Sequence, residues 1–247
     1  MALRYWKKKL PDREEKAYKF EIKIEQGVFD KKTLLVLDSL FRRKVIKSID
    51  YCVSTGKEAD IFRGTDYDSN HVAIKIFRTF TNQFHKIHDY LDNSMMIKLK
   101  KKDALIDLWA SKEFKALQVL CDTEIAPKPI YRIKNVNIMS FLGENGIPYS
   151  QLKDVKEFLT QKDYDTIIKY IKILYKKGII HSDLSEYNIL YNDKPYFIDF
   201  AQAVSINHDR AKDFLRRDIS NINKFFENFE NIKIIETNDI IEQINSE

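Results

Sequence analysis

Only two cysteines, Cys52 and Cys121, occur among 247 residues, so no disulfide framework can hold this chain together. Both sit in apolar sequence surroundings and read as buried thiols of a protein from a reducing compartment. Glycine is scarce as well: with only six in the chain, each is expected to answer a particular backbone need. No stretch approaches about 18 uninterrupted apolar residues, and Met1 to Leu10 is basic without an apolar core. Neither secretion nor a membrane span is therefore expected, and the location that follows is cytoplasmic. Long internal repeats are absent, which sets solenoids and propellers aside. His85 and His88 stand three apart with no second pair nearby, too little for a zinc-type site.

What is present describes a folded domain: 44% hydrophobic and 32% charged residues, with a net charge of +5. The length allows one large domain or two lobes. Lysines cluster at Lys7–Lys9, Lys98–Lys102 and Lys176–Lys177. Such runs read first as solvated faces, with an anionic partner such as RNA or a nucleotide as the functional alternative. Leu34, Leu37, Leu40, Phe41 and Val45 predict an amphipathic helix within Thr33–Ile46.

The chemistry concentrates between His181 and Phe200. His181-Ser182-Asp183-Leu184-Ser185-Glu186-Tyr187-Asn188 is followed, at the end of an apolar run, by Asp199-Phe200-Ala201. An Asp, an Asn five residues on and a second Asp form the carboxylate arrangement of phosphoryl transfer. One Asp orients a hydroxyl, while Asn and the other Asp offer oxygens to Mg²⁺ on a nucleotide. Upstream, Tyr51–Phe62 reads as strand, turn, strand, and His71–Phe77 as a third strand with Val72, Ile74 and Ile76 alternating. That pattern puts Lys75 inside an apolar strand, either as a snorkelling edge lysine or as the partner of an anion. Val72-Ala73-Ile74-Lys75 matches the nucleotide-lysine pattern of protein kinases and favours the second. Ile106, Ala110, Glu113, Leu117 and Leu120 form one helix face on which Glu113 is the only charge, the expected partner of Lys75.

The glycine-rich loop is thin. Ser54, Gly56 and Ala59 stand where kinases carry three glycines, so only Gly56 keeps φ freedom, and the hydroxyls of Ser54 and Thr55, with Lys57, are left to compensate. Pro127 and Pro129 end the helix, and Ile130–Ile133 and Val136–Ser140 read as two strands leading to a hinge at Met139–Gly143. A further helix is predicted from a cap at Asp163 to Lys177, closed by Gly178. After Asp199 too little chain remains for a long activation segment and a full set of helices, and no Ala-Pro-Glu follows. Ala211, Leu215, Ile219, Ile222, Phe226 and Phe229 mark one long amphipathic helix, with a peripheral end after Glu230.

Ser54–Asp60, His181–Asn188 and Ile198-Asp199-Phe200-Ala201-Gln202-Ala203-Val204, with Phe214–Asp218 and Asn221 to Phe226, make this chain resemble the RIO family of atypical protein kinases from about residue 27 to 229. Gly27–Asp30 and Met139–Phe141 resemble its first branch, which carries no N-terminal winged helix. The resemblance implies an α+β, two-lobed protein-kinase-like fold with a truncated C-lobe, holding ATP and Mg²⁺ in its cleft. Residues 1–26 would be an arm. Residues 27–139 would form the N-lobe with a preceding helix and a flexible loop at about 78–102, a place where Phe84, His85 and His88 could meet a partner. Residues 140–230 would form the hinge and short C-lobe, and 231–247 a peripheral tail.

It further implies Ser54, Thr55 and Lys75 at the phosphates, Glu113 supporting Lys75, and the backbone of Ser140 and Leu142 at adenine. Asp183 would be the catalytic aspartate, Asn188 and Asp199 the metal ligands, and Asp199 also an acceptor of phosphate in an ATPase cycle. Ala201 in place of the Asp-Phe-Gly glycine, and Ser182 in place of the usual arginine, suit an enzyme without activation-loop control. The implied function is a serine/threonine kinase and ATPase acting on the pre-small-subunit ribosomal particle, its rRNA and assembly factors. A small-molecule kinase and a non-catalytic RNA-binding scaffold are the alternatives.

Overall fold

The computed structural model describes residues 29–78 and 102–246, which fall into two compact units. The expected arm at 1–26 and all but the ends of the expected loop at 78–102, with Phe84, His85 and His88, lie outside the described residues.

The first unit holds residues 29–78 and Ile130–Phe141. It opens with helix α1 (Lys31–Arg42), started by Asp30, whose carboxylate accepts the Thr33 N–H at 2.7 Å. Five strands follow: β1 (Ser48–Thr55), β2 (Ala59–Thr65), β3 (His71–Phe77), β4 (Pro129–Ile133) and β5 (Val136–Ser140), in the order β1-β2-β3-β5-β4. Alternation along β3 sends Val72, Ile74 and Ile76 into a core shared with Leu34, Leu37 and Leu40 of α1. Burying each such side chain stabilises the unit by roughly 1.5–3 kcal/mol. Asn135 ties the turn after β4 to its surroundings, donating to Thr33 Oγ1 and to the Phe77 carbonyl, both at 3.0 Å. Gly64 has no room for a side chain: a Cβ there would lie 2.6 Å from the Ser48 carbonyl oxygen and from the Ile74 side chain.

The second unit holds residues 102–129 and 142–246. Helix α2 (Lys102–Val119) belongs here although the sequence placed it with the first lobe, because it packs against the short turn Phe200–Gln202. Two small strands, β6 (Gly143–Glu144) and β7 (Ile147–Pro148), form a hairpin, and β8 (Ser150–Gln151) joins a sheet described below. Helix α3 (Gln161–Lys176) is capped by Thr160, not by Asp163. Asp163 is the third helical residue of a capping box, accepting the Thr160 N–H at 2.8 Å. Gly178, at φ 79, closes that helix and leads to β9 (Ile179–Ile180). Strands β10 (Ile189–Asn192) and β11 (Lys194–Phe197) pair with each other, and β10 also pairs with β8, while β12 (Val204–Ser205) pairs with β9. Helices α4 (Ala211–Phe226) and α5 (Thr237–Ser246) complete the unit.

Two expectations are corrected. The chain after Glu230 is not peripheral: Ile232, Ile240 and Ile244 are buried, and Asn223 of α4 donates to the Ile235 carbonyl at 2.8 Å. The thiols are exposed, not buried. Cys52 lies on the edge strand β1, and Cys121 lies just past the end of α2.

Candidate active site

In the second unit the segment from His181 to Asn188 is held from beneath. His181 is buried, its Nε2 sits 2.9 Å from the Ile198 carbonyl oxygen, and its ring packs on Phe200 with centroids 4.7 Å apart. It is a packing and hydrogen-bonding residue, as its place before the aspartate implies. Ser182 follows at φ 68, an unusual backbone for a residue with a side chain, and one that must be over-determined by its neighbours. Asp218 of α4 supplies that restraint: its carboxylate accepts the N–H of Ser182 at 2.7 Å and of Leu184 at 3.0 Å. Arg217 donates to the Ser182 carbonyl and Asn221 to the Leu184 carbonyl. Asp183, between the two held amides, is thereby aimed by the backbone on either side of it.

Asn188 closes the loop. Its Nδ2 donates to the Asp183 carbonyl at 2.7 Å and reaches the Asp183 Oδ2 at 3.4 Å, which turns its own carbonyl oxygen the other way. The Asn188 carbonyl accepts the Ile198 N–H at 3.0 Å, so the strand before Asp199 is fixed to this loop. Asp199 is exposed and adopts φ 65 and ψ 62. The left-handed residue is thus Asp199 itself, and position 201 lies in the right-handed turn Phe200–Gln202. Alanine suffices there, which explains the missing glycine. Burial pushes the Asp183 carboxyl above its ordinary 3.8, and the nearby Asp199 charge adds to this, while Arg217 and the Asn188 bond oppose it. Asp218 is pushed up to about 7 by burial, against the two backbone N–H bonds that favour its charge.

Glu113, also in this unit, is buried on α2 with Ile106, Ala110, Leu117 and Leu120, the face predicted from spacing. Leu142 carries a carbonyl that accepts the Tyr149 N–H at 3.1 Å.

The first unit carries the other expected residues. Lys75 lies in the middle of the central strand β3, opposite Ile61 and Asn137, and is buried with its Nζ 5.1 Å from the Phe77 ring centroid. It is no snorkelling edge lysine. Ser54 and Thr55 end β1 in exposed positions opposite Ile61 and Asp60. Gly56 does not use a positive φ, contrary to the expected role; a Cβ there would instead press to 3.0 Å from the Ala59 carbonyl oxygen. Asp60 and Arg78 form a two-point ion pair at 2.9 and 2.6 Å that joins the start of β2 to the end of β3. Ser140 ends β5 opposite Val72. Lys75 and Glu113 stand in different units.

Asp218 and Gln202 were not singled out for a role in the sequence. Asp218 shared the signal that exposed Glu113, a lone carboxylate on an apolar stripe, here running through Ala211, Leu215, Ile219, Ile222 and Phe226. Gln202, whose Nε2 lies 3.2 Å from Asp183 Oδ2, gave no such signal.

The RIO domain family matches residues 60–240. A RIO-type serine/threonine-protein kinase Rio1 of Methanocaldococcus jannaschii is 36% identical over 227 residues, covering 90% of this chain and 78% of that protein. The serine/threonine-protein kinase rio1 of Schizosaccharomyces pombe is 36% identical over 234 residues; the match covers 88% of this chain and 47% of the yeast protein. Among solved structures, the Rio2 kinase–ADP/Mg²⁺–phosphoaspartate complex of Chaetomium thermophilum aligns with a TM-score of 0.68 at 26% identity, covering 87% of this chain and 67% of that one. The α+β fold is therefore protein-kinase-like. No helix among the described residues is long and apolar enough to cross a membrane.

Proposed function

The chain belongs to the RIO family of atypical kinases, and from that premise we propose that it is an ATP- and Mg²⁺-dependent serine/threonine kinase and ATPase. The observation that carries the reading is the loop holding Asp183, where backbone bonds to Asp218 and the amide of Asn188 fix one carboxylate beside a second, exposed one at Asp199. Asn188 and Asp199 offer the metal two oxygens, the hard donors Mg²⁺ prefers. Held there, Mg²⁺ would supply neutralisation of phosphate charge.

The remaining roles are those that the family resemblance implies. Ser54 and Thr55 meet the phosphates with hydroxyls, and Lys75 meets them with its ammonium, supported by Glu113. Ser140 and Leu142 hold adenine by backbone; because the Leu142 carbonyl already accepts an N–H, we assign its amide to the base. Asp183 orients the acceptor hydroxyl and takes its proton. In the ATPase cycle an Asp199 carboxylate oxygen bonds to the γ-phosphorus as the bond to ADP breaks. Water then cleaves the acyl phosphate to restore the carboxylate and release phosphate. The phosphoaspartate named in the aligned Rio2 complex supports this step. The family resemblance extends the reading to a cytoplasmic role in maturation of the small ribosomal subunit, with precursor rRNA and assembly factors as partners.

Purified full chain with Mg²⁺ is expected to hydrolyse ATP and autophosphorylate, and Asp183→Ala to lose on the order of 10²–10⁴-fold in rate. Wild-type turnover by Asp183→Ala, or no ATP turnover by the wild type, would sink the reading. A hydroxylamine-labile label from γ-phosphate that vanishes in Asp199→Asn tests the acyl phosphate. Co-sedimentation with small-subunit precursors, absent in cells lacking the protein's partners, tests the setting.

A further inference from the structure

We propose that Gln202 is a positioning residue that decides which oxygen of Asp183 meets the phosphoacceptor, an inference that rests on the phosphoryl-transfer reading above. The Asp183 carboxylate has two side-chain donors among the described residues, and both fall on Oδ2. Gln202 Nε2 lies at 3.2 Å, and Asn188 Nδ2 at 3.4 Å. Asn188 spends its short bond, 2.7 Å, on the Asp183 backbone carbonyl, so Gln202 is the closer restraint on the carboxylate itself. With Oδ2 engaged, the carboxylate cannot spin freely, and Oδ1 becomes the oxygen presented to a hydroxyl or water.

The position of Gln202 is itself fixed at both ends. On one side it follows Phe200, which is buried against His181, within a turn closed by the Ala203 N–H to the Phe200 carbonyl at 3.0 Å. On the other, Val204 pairs with Ile180 just before His181. The loop that carries Asp199 therefore returns a donor to Asp183. The charges facing Asp183 are Asp199, from that same loop, and Arg217 and Asp218, both from α4. A lysine at position 202 would add an ion pair and weaken Asp183 as a base, whereas a primary amide donates a hydrogen bond and takes no proton. It stabilises the ionised carboxylate against the like charge of Asp199.

The test uses the full chain and compares Gln202→Met, similar in length but without a donor, with isosteric Gln202→Glu. Gln202→Met is expected to lower kcat by about 10-fold with the KM for ATP within about twofold, since the restraint acts on the chemical step. Gln202→Glu is expected to lower kcat further at a similar KM, because a third carboxylate then faces Asp183 where a donor stood. If Gln202→Met does not fold, Gln202→Glu alone carries the test. A wild-type kcat in a folded Gln202→Met or Gln202→Glu, with Asp183→Ala inactive, overturns the assignment of Gln202 and leaves the phosphoryl-transfer reading intact. Wild-type turnover by Asp183→Ala overturns that reading instead.

Discussion

Asp218 ties stability, pH and the active loop to one side chain, and its removal can be worked through. The carboxylate is buried and accepts two backbone N–H groups, from Ser182 at 2.7 Å and Leu184 at 3.0 Å. In Asp218→Asn the amide oxygen can keep one of these bonds, but the amide NH₂ then faces the other N–H. A buried donor left without an acceptor costs about 1–3 kcal/mol, so a loss of about that size is expected at pH 8. The pH dependence is more telling. Burial pushes the folded Asp218 up to about 7 from an ordinary 3.8. A carboxyl that holds its proton more tightly when folded stabilises the fold fully below the unfolded value and loses that contribution as pH rises through the folded one. Between pH 5 and 8 the wild type is therefore expected to lose about 3 kcal/mol relative to Asp218→Asn, which has no proton to release there. Urea unfolding followed by circular dichroism at several pH values gives the difference directly. A wild-type-minus-variant difference that stays flat from pH 5 to 8 would refute the reasoning, as would one that grows with pH.

Three further outcomes follow from single side chains. Lys75→Met, which keeps the length of the side chain in the middle of β3, is expected to abolish ATP turnover; turnover at the wild-type rate would mean that the Lys75 ammonium does not meet the phosphates. Tyr164→Phe deletes a hydroxyl that accepts the Ile235 N–H at 2.8 Å and donates to Asn223 at 2.9 Å. Its expected cost is about 1–3 kcal/mol, with faster hydrogen exchange confined to the chain after Phe229 if the hydroxyl docks that segment. Gly64→Ala places a Cβ 2.6 Å from the Ser48 carbonyl oxygen, and overpacking of this kind is expected to destabilise by roughly 1–3 kcal/mol in chemical denaturation; an unchanged midpoint would show that β1 can move aside.

How much was legible in the sequence depends on the kind of signal each residue left. Periodicity carried α1, β3, α2 and α4, since each buries one face and so writes its spacing into the chain. Lys75 and Glu113 stood out because a charge on an apolar stripe needs a reason. Asp218 breaks its stripe in the same way and leaves the same signal. Where the signal is a contact between distant segments, the sequence was silent. The docking of the chain after Phe229 hangs on Tyr164 and Asn223, and the assignment of α2 to the second unit on the turn at Phe200–Gln202. The cysteines misled for a related reason: apolar neighbours in sequence do not bury a residue on an edge strand or past a helix end.

The loop around Asp183 explains why glycine could be lost from this site. A kinase-like turn needs one residue in the left-handed region near its second aspartate, and the cost of placing a side chain there is of order 1–3 kcal/mol. This chain puts that conformation on Ser182 and Asp199, both non-glycine. Ser182 is held by Asp218 and Arg217, and Asp199 is preceded by a residue whose N–H is fixed to Asn188. The strain is thus met by side chains that also aim Asp183, which couples backbone geometry to the position of the reacting carboxylate. Relieving it should therefore misplace the carboxylate: Ser182→Gly, which removes the strain and loosens the loop, is expected to raise thermal stability slightly while lowering kcat by a few fold. A variant both more stable and equally active would show that the loop is aimed by its hydrogen bonds alone.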